Sequence, residues 1–205
     1  DDIMEELVWL HEHGVDNVVF LADLFTVNRK QVIELCRRII DAGLPLKWQC
    51  NSRVDHIDEE LLSSMKRAGC WQIAFGLESG SQEVLDKAKK GITVEQIEKA
   101  IGMVDRFGIK SWGYFIIGLP GETKESIRAT IDLAKRLPLN LALFHVAVPY
   151  PGTEFNDLAR EHGWLLSEKW EDLDMNYSAI VEYPQLSSSE IDKATKRAFF
   201  EWYMR

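Results

Sequence analysis

Five short segments carry residues able to bind a polar, partly flat ligand, and each follows directly on an apolar run. They are Asp23-Leu24-Phe25-Thr26, Asn51-Ser52-Arg53, Glu78-Ser79-Gly80-Ser81, Gly118-Leu119-Pro120-Gly121-Glu122 and Pro149-Tyr150-Pro151-Gly152-Thr153. Asp23 or Glu78 could take an ammonium group or ribose hydroxyls, and Arg53 could grip a carboxylate with two parallel hydrogen bonds. The glycines allow backbone amides and carbonyls to come close to the edge of a planar base. Taken singly, each segment has a plainer reading. Gly-Leu-Pro-Gly and Pro-Tyr-Pro-Gly-Thr read as turns leading into a helix cap, Glu78 to Ser81 as a cap for the helix after it, and Arg53 with Asp55 as a surface pair worth little. Their order favours the ligand reading, because five successive apolar runs each end on a special loop.

Other reactive side chains read as structural. Cys36 falls on the apolar face of a helix. Cys50 and Cys70 are at best weak candidates for chemistry, and the three lack metal-type spacing. His145 sits alone inside an apolar run, where a hydrogen-bonded core residue is the plain expectation. The Trp112-Gly113-Tyr114-Phe115 run reads as core on one face.

The elements that must position these loops alternate. Strands are expected at Asn17 to Ala22, Leu46 to Asn51, Gln72 to Glu78, Ser111 to Gly118 and Leu141 to Val148, dense in Val, Ile, Phe and Trp as strands covered on both faces should be. Helices between them have clear boundaries. Asn28 opens one that Gly43 ends, Asp58 opens one that Gly69 ends, and Thr93 with Gln96 makes a capping box for one that Gly108 ends. Thr123 and Thr153 open two more. This alternation predicts a parallel sheet with right-handed crossovers, its function carried on the loops at the carboxyl ends of the strands. After Val148 the pattern fades. Trp164 to Pro184 reads as an irregular aromatic and acidic extension, and Ser189 to Arg205 as a last helix. The expected domains are therefore residues 1–163 for the core and 164–205 for the extension.

Composition narrows the function. In 205 residues the apolar share is 46%, the charged share 28% and the formal net charge −9. A net acidic chain with scattered basic residues is a poor partner for nucleic acid. No apolar run reaches the length of about 20 residues that spans a bilayer. An odd cysteine count with no secretory signal points to reduced thiols and a cytoplasmic setting. The chain opens at Asp1 inside a helical pattern, which reads as the start of a fragment.

The ordered loops resemble those of radical S-adenosylmethionine enzymes, in particular the branch that often carries an N-terminal cobalamin-binding domain. The resemblance rests on Phe20 to Thr26, Asn51-Ser52-Arg53-Val54-Asp55, Phe75 to Ser81, Lys90-Gly91-Ile92-Thr93, Phe115 to Glu122 and Pro149 to Thr153. It covers about residues 1 to 165, and Trp170-Glu171-Asp172 is similar to a segment that trails this branch. The resemblance implies a partial (β/α)6 TIM-like barrel of which this chain holds strands two to six. It also implies S-adenosylmethionine beside a [4Fe–4S] cluster that is held by a CxxxCxxC loop lying outside this chain, with electron transfer releasing a 5′-deoxyadenosyl radical. Residue by residue, it places Asp23 near the methionine amine, Arg53 and Glu78 near the methionine and ribose, Lys90 at the methionine carboxylate, and Gly118 and Pro149 beside the ribose and adenine, with Ser79 among the cofactor-binding residues. Ala22 departs from the branch, which often has a second acid there. No catalytic residue is assigned, because the cofactors carry the bond-breaking chemistry. A small-molecule substrate, an electron donor such as flavodoxin or ferredoxin, and cobalamin in an upstream domain are further implied, and this fragment alone is expected to be inactive. Two rivals remain: a transfer-RNA methylthiotransferase, against which the acidic balance counts, and a non-catalytic nucleotide-binding barrel.

Overall fold

In a computed structural model, residues 2–204 are described. Helices and strands alternate in the order α1 (Asp2–Glu12), β1 (Asn17–Phe20), α2 (Arg29–Asp41), β2 (Lys47–Ser52), α3 (Glu59–Arg67), β3 (Cys70–Glu78), α4 (Gln82–Lys87), α5 (Val94–Arg106), β4 (Lys110–Ile117), α6 (Lys124–Arg136), β5 (Leu141–Val146), α7 (Glu154–Glu161) and α8 (Ser188–Tyr203). The five strands form one sheet in chain order, β1-β2-β3-β4-β5. β1 runs parallel to β2 with Val18 opposite Trp48, and β2 parallel to β3 with Cys50 opposite Ile73. The expected α/β architecture with a parallel sheet is present, and β1 and β5 are its two edges, so the barrel is not closed. No helix among the described residues is long and apolar enough to cross a membrane.

Contacts divide the chain into two compact units. The first comprises the segment ending at Gly76 with Glu95–Gly113 and Leu137–Leu141; the second comprises Leu77–Val94, Tyr114–Arg136 and the chain from Ala142 onward.

The first unit is built around Trp48, which is fully buried. Its indole N–H donates to the Ala68 carbonyl at 2.7 Å, and the rings of Phe20 and Phe25 pack against it with centroids 5.3 and 5.6 Å away. An indole is well buried only when its N–H finds an acceptor, and here it does. Leu61, Leu62 and Met65 of α3 and Ile39 of α2 complete the core. The Asn28 and Asp58 side chains accept from the backbone N–H groups of Gln31 and Leu61, as their positions predict for helix caps.

In the second unit the rings of Phe115 and Phe144 stack at 5.2 Å. Ile131 and Ala134 of α6 and Ile191, Ala198 and Trp202 of α8 are buried. The Trp202 indole N–H donates to Ala134 O at 3.1 Å, fastening the last helix. A capping box starts α8: Ser187 accepts from the Glu190 N–H while the Glu190 carboxylate accepts from the Ser187 N–H.

One expectation needs correction. The strands are not covered equally on both faces. β4 alternates, with Ser111, Phe115 and Ile117 buried and Trp112, Tyr114 and Ile116 only half-buried, and β5 does the same. The aromatic density of these strands comes from large side chains spread along a partly open face, which a count of apolar residues does not separate from full burial.

The two sheet edges differ. On β5, the Val146 N–H donates to Met175 O, so the segment around Met175 covers part of that edge. On β1, Val19 is 49% exposed, and Leu21, just past the end of the strand at Phe20, is 90% exposed. Apolar edge strands template association, so Leu21→Lys should suppress heat-induced aggregation while moving stability by less than about 0.5 kcal/mol. Light scattering during a thermal ramp checks this; aggregation identical to the parent would acquit the β1 edge.

Candidate functional site

Of the residues singled out from sequence, Asp23 and Arg53 fall in the first unit and Glu78, Ser79, Lys90, Gly118 and Pro149 in the second. Asp23 is exposed in the loop after β1. The loop is held from below by Thr26, only 1% exposed, whose hydroxyl bonds that of Ser52 at 2.6 Å. Arg53, just past β2, presents its fork to Asp55 at 2.9 and 3.0 Å. Burial pushes the Asp55 carboxyl up, but the Arg53 guanidinium and the Asp55 backbone N–H together outweigh it and hold the carboxyl below its ordinary range. The structure therefore gives the guanidinium a protein carboxylate, the local pair that the sequence spacing allows.

At the end of β3 the chain turns sharply. Glu78 has φ 63, a left-handed conformation uncommon outside glycine. Four bonds lock the turn: Ser79 N–H to Leu77 O at 2.9 Å, the Ser79 hydroxyl with that of Thr130 at 3.1 Å, Gly80 N–H to the Thr130 hydroxyl at 2.9 Å, and Ser81 N–H to the Ser79 hydroxyl at 3.1 Å. Ser79 is fully buried, so its side chain fastens the loop to α6. Strain of this kind persists only where the surroundings impose it, and it concentrates at functional sites.

The strained residue carries the site's main charge contact. Lys90 Nζ lies 2.7 Å from Glu78 Oε1, with the two side chains 20% and 17% exposed. The neighbouring Lys89, also left-handed at φ 53, instead places its ammonium on Glu154 at 2.5 and 2.7 Å. Two adjacent lysines thus serve different partners, and the one nearer the strand end is the more sheltered. A lysine ammonium has three donors, and a carboxylate accepts several hydrogen bonds. The pair can therefore each keep the other and still meet a ligand.

The loop after β4 is built tightly. Gly118 has φ 96, and its backbone N–H donates to the Glu122 carboxylate. Its carbonyl accepts from the Tyr183 hydroxyl at 2.6 Å. Glu122 is fully buried, and that burial pushes its carboxyl up to about 7 despite the bond from Gly118. Pro149 is buried, and its carbonyl accepts from the Asn156 side chain at 2.8 Å. His145 bonds Asn176 at 3.0 Å, so it is partnered, although half-buried rather than core. Thr130 and Tyr183 were missed from sequence. Thr130 looks like any helix residue, and Tyr183 lies in a stretch without periodicity, so nothing local marked either.

Cys36, Cys50 and Cys70 are all buried free thiols. Burial pushes the Cys36 thiol up to about 12 and raises that of Cys70 as well, with Cys50 beside it as a further cause. Iron and zinc bind thiolates, so Cys36 and Cys70 are held in the wrong state for ligation.

A family model described as the radical SAM superfamily matches residues 1–134. The chain is 37% identical over 204 residues to an uncharacterised methyltransferase of Pyrococcus horikoshii, covering 99% of this chain and 44% of that protein. It is 36% identical over 156 residues to the anaerobic magnesium-protoporphyrin IX monomethyl ester cyclase of Cereibacter sphaeroides, covering 74% of this chain and 25% of the relative. Among solved structures, the radical S-adenosylmethionine methyltransferase TsrM of Kitasatospora setae superposes with a TM-score of 0.71 at 22% identity, over 80% of this chain and 32% of that one, a likeness of fold. The chain thus spans less than half the length of each of these proteins. With five strands in order, special loops at their carboxyl ends and this family match over most of its length, the chain belongs to the radical SAM superfamily.

Proposed function

We propose that this chain is the S-adenosylmethionine-facing part of a radical SAM enzyme, of methyltransferase type, acting on a small molecule. The observation that carries the reading is the Glu78–Lys90 pair: two opposite charges, mostly sheltered, on a strained strand end. A zwitterionic ligand needs fixed charges of both signs. Lys90 would hold the methionine carboxylate, and Glu78 the amine or the ribose hydroxyls. Asp23, Arg53 and Ser79 belong to the same reading, as do Gly118 and Pro149, whose backbone would flank the adenosine. Residues 1–163 would form the core and residues 164–205 an extension.

Family membership implies S-adenosylmethionine and a [4Fe–4S] cluster. The charged groups at Glu78 and Lys90 fit the first. The cysteines do not fit the second, because all three are buried and two are held protonated by burial, and no group of three or more His, Cys, Asp or Glu residues among those described is arranged to hold a metal. Cluster ligation is accordingly not assigned to Cys36, Cys50 or Cys70. When bound, S-adenosylmethionine supplies the reactive carbon centre, and the residues named here bind and orient it. An electron donor protein, cobalamin and a cytoplasmic setting complete the reading.

The test is titration of S-adenosylmethionine into the anaerobic, cluster-loaded full-length enzyme that would contain this chain and the cluster loop, and into its Lys90→Ala variant. Losing one charge-assisted hydrogen bond is worth about 1.5 to 3 kcal/mol, so affinity should fall roughly ten- to a hundredfold. Lys89→Asn is the control, since asparagine tolerates the left-handed backbone at that position. Equal affinity in all three proteins would take Lys90 out of the site.

A further inference from the structure

Both backbone polar groups of Gly118 are claimed by side chains rather than by a neighbouring strand. Its N–H donates to Glu122, four residues on, and its carbonyl accepts from the hydroxyl of Tyr183, sixty-five residues on. The Gln185 side chain adds a third tie, donating from Nε2 to the Glu122 carbonyl at 3.1 Å. From α8, Ile191 closes over the glycine: a Cβ on Gly118 would meet its Cγ2 at 3.1 Å and its Cδ1 at 3.2 Å. Glu122 and Ile191 are fully buried, and Tyr183 is 5% exposed. A turn with mutual Tyr183 and Leu186 backbone bonds, at 2.9 and 3.1 Å, aims the phenol inward, and the Trp164 ring packs edge-on against it at 4.9 Å.

We propose that Tyr183 and Glu122 are positioning residues that clamp the loop after β4, so that the C-terminal extension sets the backbone presented to the adenosine of S-adenosylmethionine. The proposal rests on the assignment of Gly118 to the cofactor. No exposed surface explains the arrangement. A surface loop with nothing to hold would bond its amide and carbonyl to water, whereas this one is reached by two buried side chains, one of which leaves an oxygen, Glu122 Oε1, without a partner among the described residues. A buried, half-satisfied carboxyl is costly, and a fixed loop is what that cost provides here.

The clamp also carries its own pH signature. The titratable group facing Glu122 from the extension is Tyr183, whose hydroxyl burial and the nearby carboxyl raise. Charged groups on the adjoining elements are already paired: Lys87 of α4, lying against Gly121, with Glu83, and Lys124 of α6 with Glu190 of α8. Among the described residues these nearby cations are committed to other carboxylates, so the loop should loosen as the acid ionises near pH 7.

The experiment is hydrogen exchange by mass spectrometry on residues 118–122, combined with S-adenosylmethionine titration of the same cluster-loaded proteins. Tyr183→Phe should speed exchange in that segment by about tenfold, the effect of one lost buried hydrogen bond, and leave α5 unchanged. It should also weaken S-adenosylmethionine binding roughly threefold to tenfold. Corrected for chemical rate, exchange of the wild-type segment should step up between about pH 6 and pH 8, and Glu122→Gln should flatten the step. Should Tyr183→Phe not fold, Gln185→Ala removes the exposed tie and should show the same pattern at smaller size. Faster exchange with unchanged affinity would take Gly118 out of the cofactor site and overturn the proposal, while leaving the Glu78–Lys90 reading to its own titration. Exchange equal to wild type at every pH would overturn it at the clamp.

Discussion

Gly80→Ala is expected to cost about 3 to 4 kcal/mol of stability, the upper end of what overpacking a rigid core produces. A Cβ at this position would lie 2.4 Å from the Ala129 carbonyl oxygen, 2.7 Å from its carbon and 2.7 Å from the Thr130 Cα. All three atoms are backbone of α6, so no side chain can rotate away. Relief requires the helix to retreat from the loop, and that breaks the bonds from Gly80 N–H and the Ser79 hydroxyl to Thr130. The φ of Gly80 is not in the left-handed region, so the cost is close approach rather than backbone conformation. Gly102 is the internal control. It lies within α5 with nothing within 4 Å of a built Cβ, and Gly102→Ala should stabilise by about 0.5 to 1 kcal/mol through helix entropy. Urea unfolding of both variants measures the contrast. A Gly80→Ala midpoint at the parental value would mean that the loop and α6 are not in the close contact described.

Much of the scaffold was readable because it is local. Each strand run, whichever faces it buries, is rich in apolar residues, Gly14, Gly43, Gly69 and Gly108 precede the first four, and each of the five expected strands is present. The disagreements lie at the ends. β1 stops at Phe20, two residues short, and the expected continuation through Leu21 and Ala22 is exposed. β3 begins two residues early, at Cys70, where the chain leaves Gly69 directly into pairing, with a register shift against Trp48 and Gln49. No pattern in a single strand announces either event. The Arg53–Asp55 contact was legible because it spans two residues. The Glu78–Lys90 contact was not, since it depends on a left-handed glutamate and on a second left-handed residue, Lys89, directing adjacent ammonium groups apart. The ties from Thr130 to Ser79 and from Tyr183 to Gly118 join residues fifty-one and sixty-five positions apart. Their chemistry, a hydroxyl meeting a loop, leaves no periodic trace in sequence.

Glu122→Gln should make the protein more stable at pH 8 and leave it little changed at pH 5. Burial raises the Glu122 carboxyl from 4.5 to about 7, while the bonds from the Gly118 and Leu119 N–H groups act in the opposite sense and only partly offset it. A carboxyl with a raised folded value binds more protons when folded than when unfolded. Its contribution is therefore complete below about pH 4.5 and is lost as pH rises through about 7. A tenfold change in a carboxyl's proton affinity between the two states is worth about 1.4 kcal/mol, so the loss by pH 8 is on the order of 2 to 3 kcal/mol. Glutamine keeps a carbonyl for the Gly118 N–H and stays neutral throughout, so the slope disappears. Other carboxyls work the opposite way. Glu190 beside Lys124 and Ser187, and Glu201 beside Arg128, Arg197 and Lys135, are held below the ordinary range and lose their contributions only as pH falls. Those groups are common to both proteins and cancel in the difference. Paired urea titrations at pH 5, 6, 7 and 8 give that difference directly. A variant advantage that grows from pH 5 to pH 7 and flattens towards pH 8 is the expected curve. A constant difference would mean that Glu122 does not titrate in the folded protein, and a difference that shrinks as pH rises would reverse the sign of its coupling to folding.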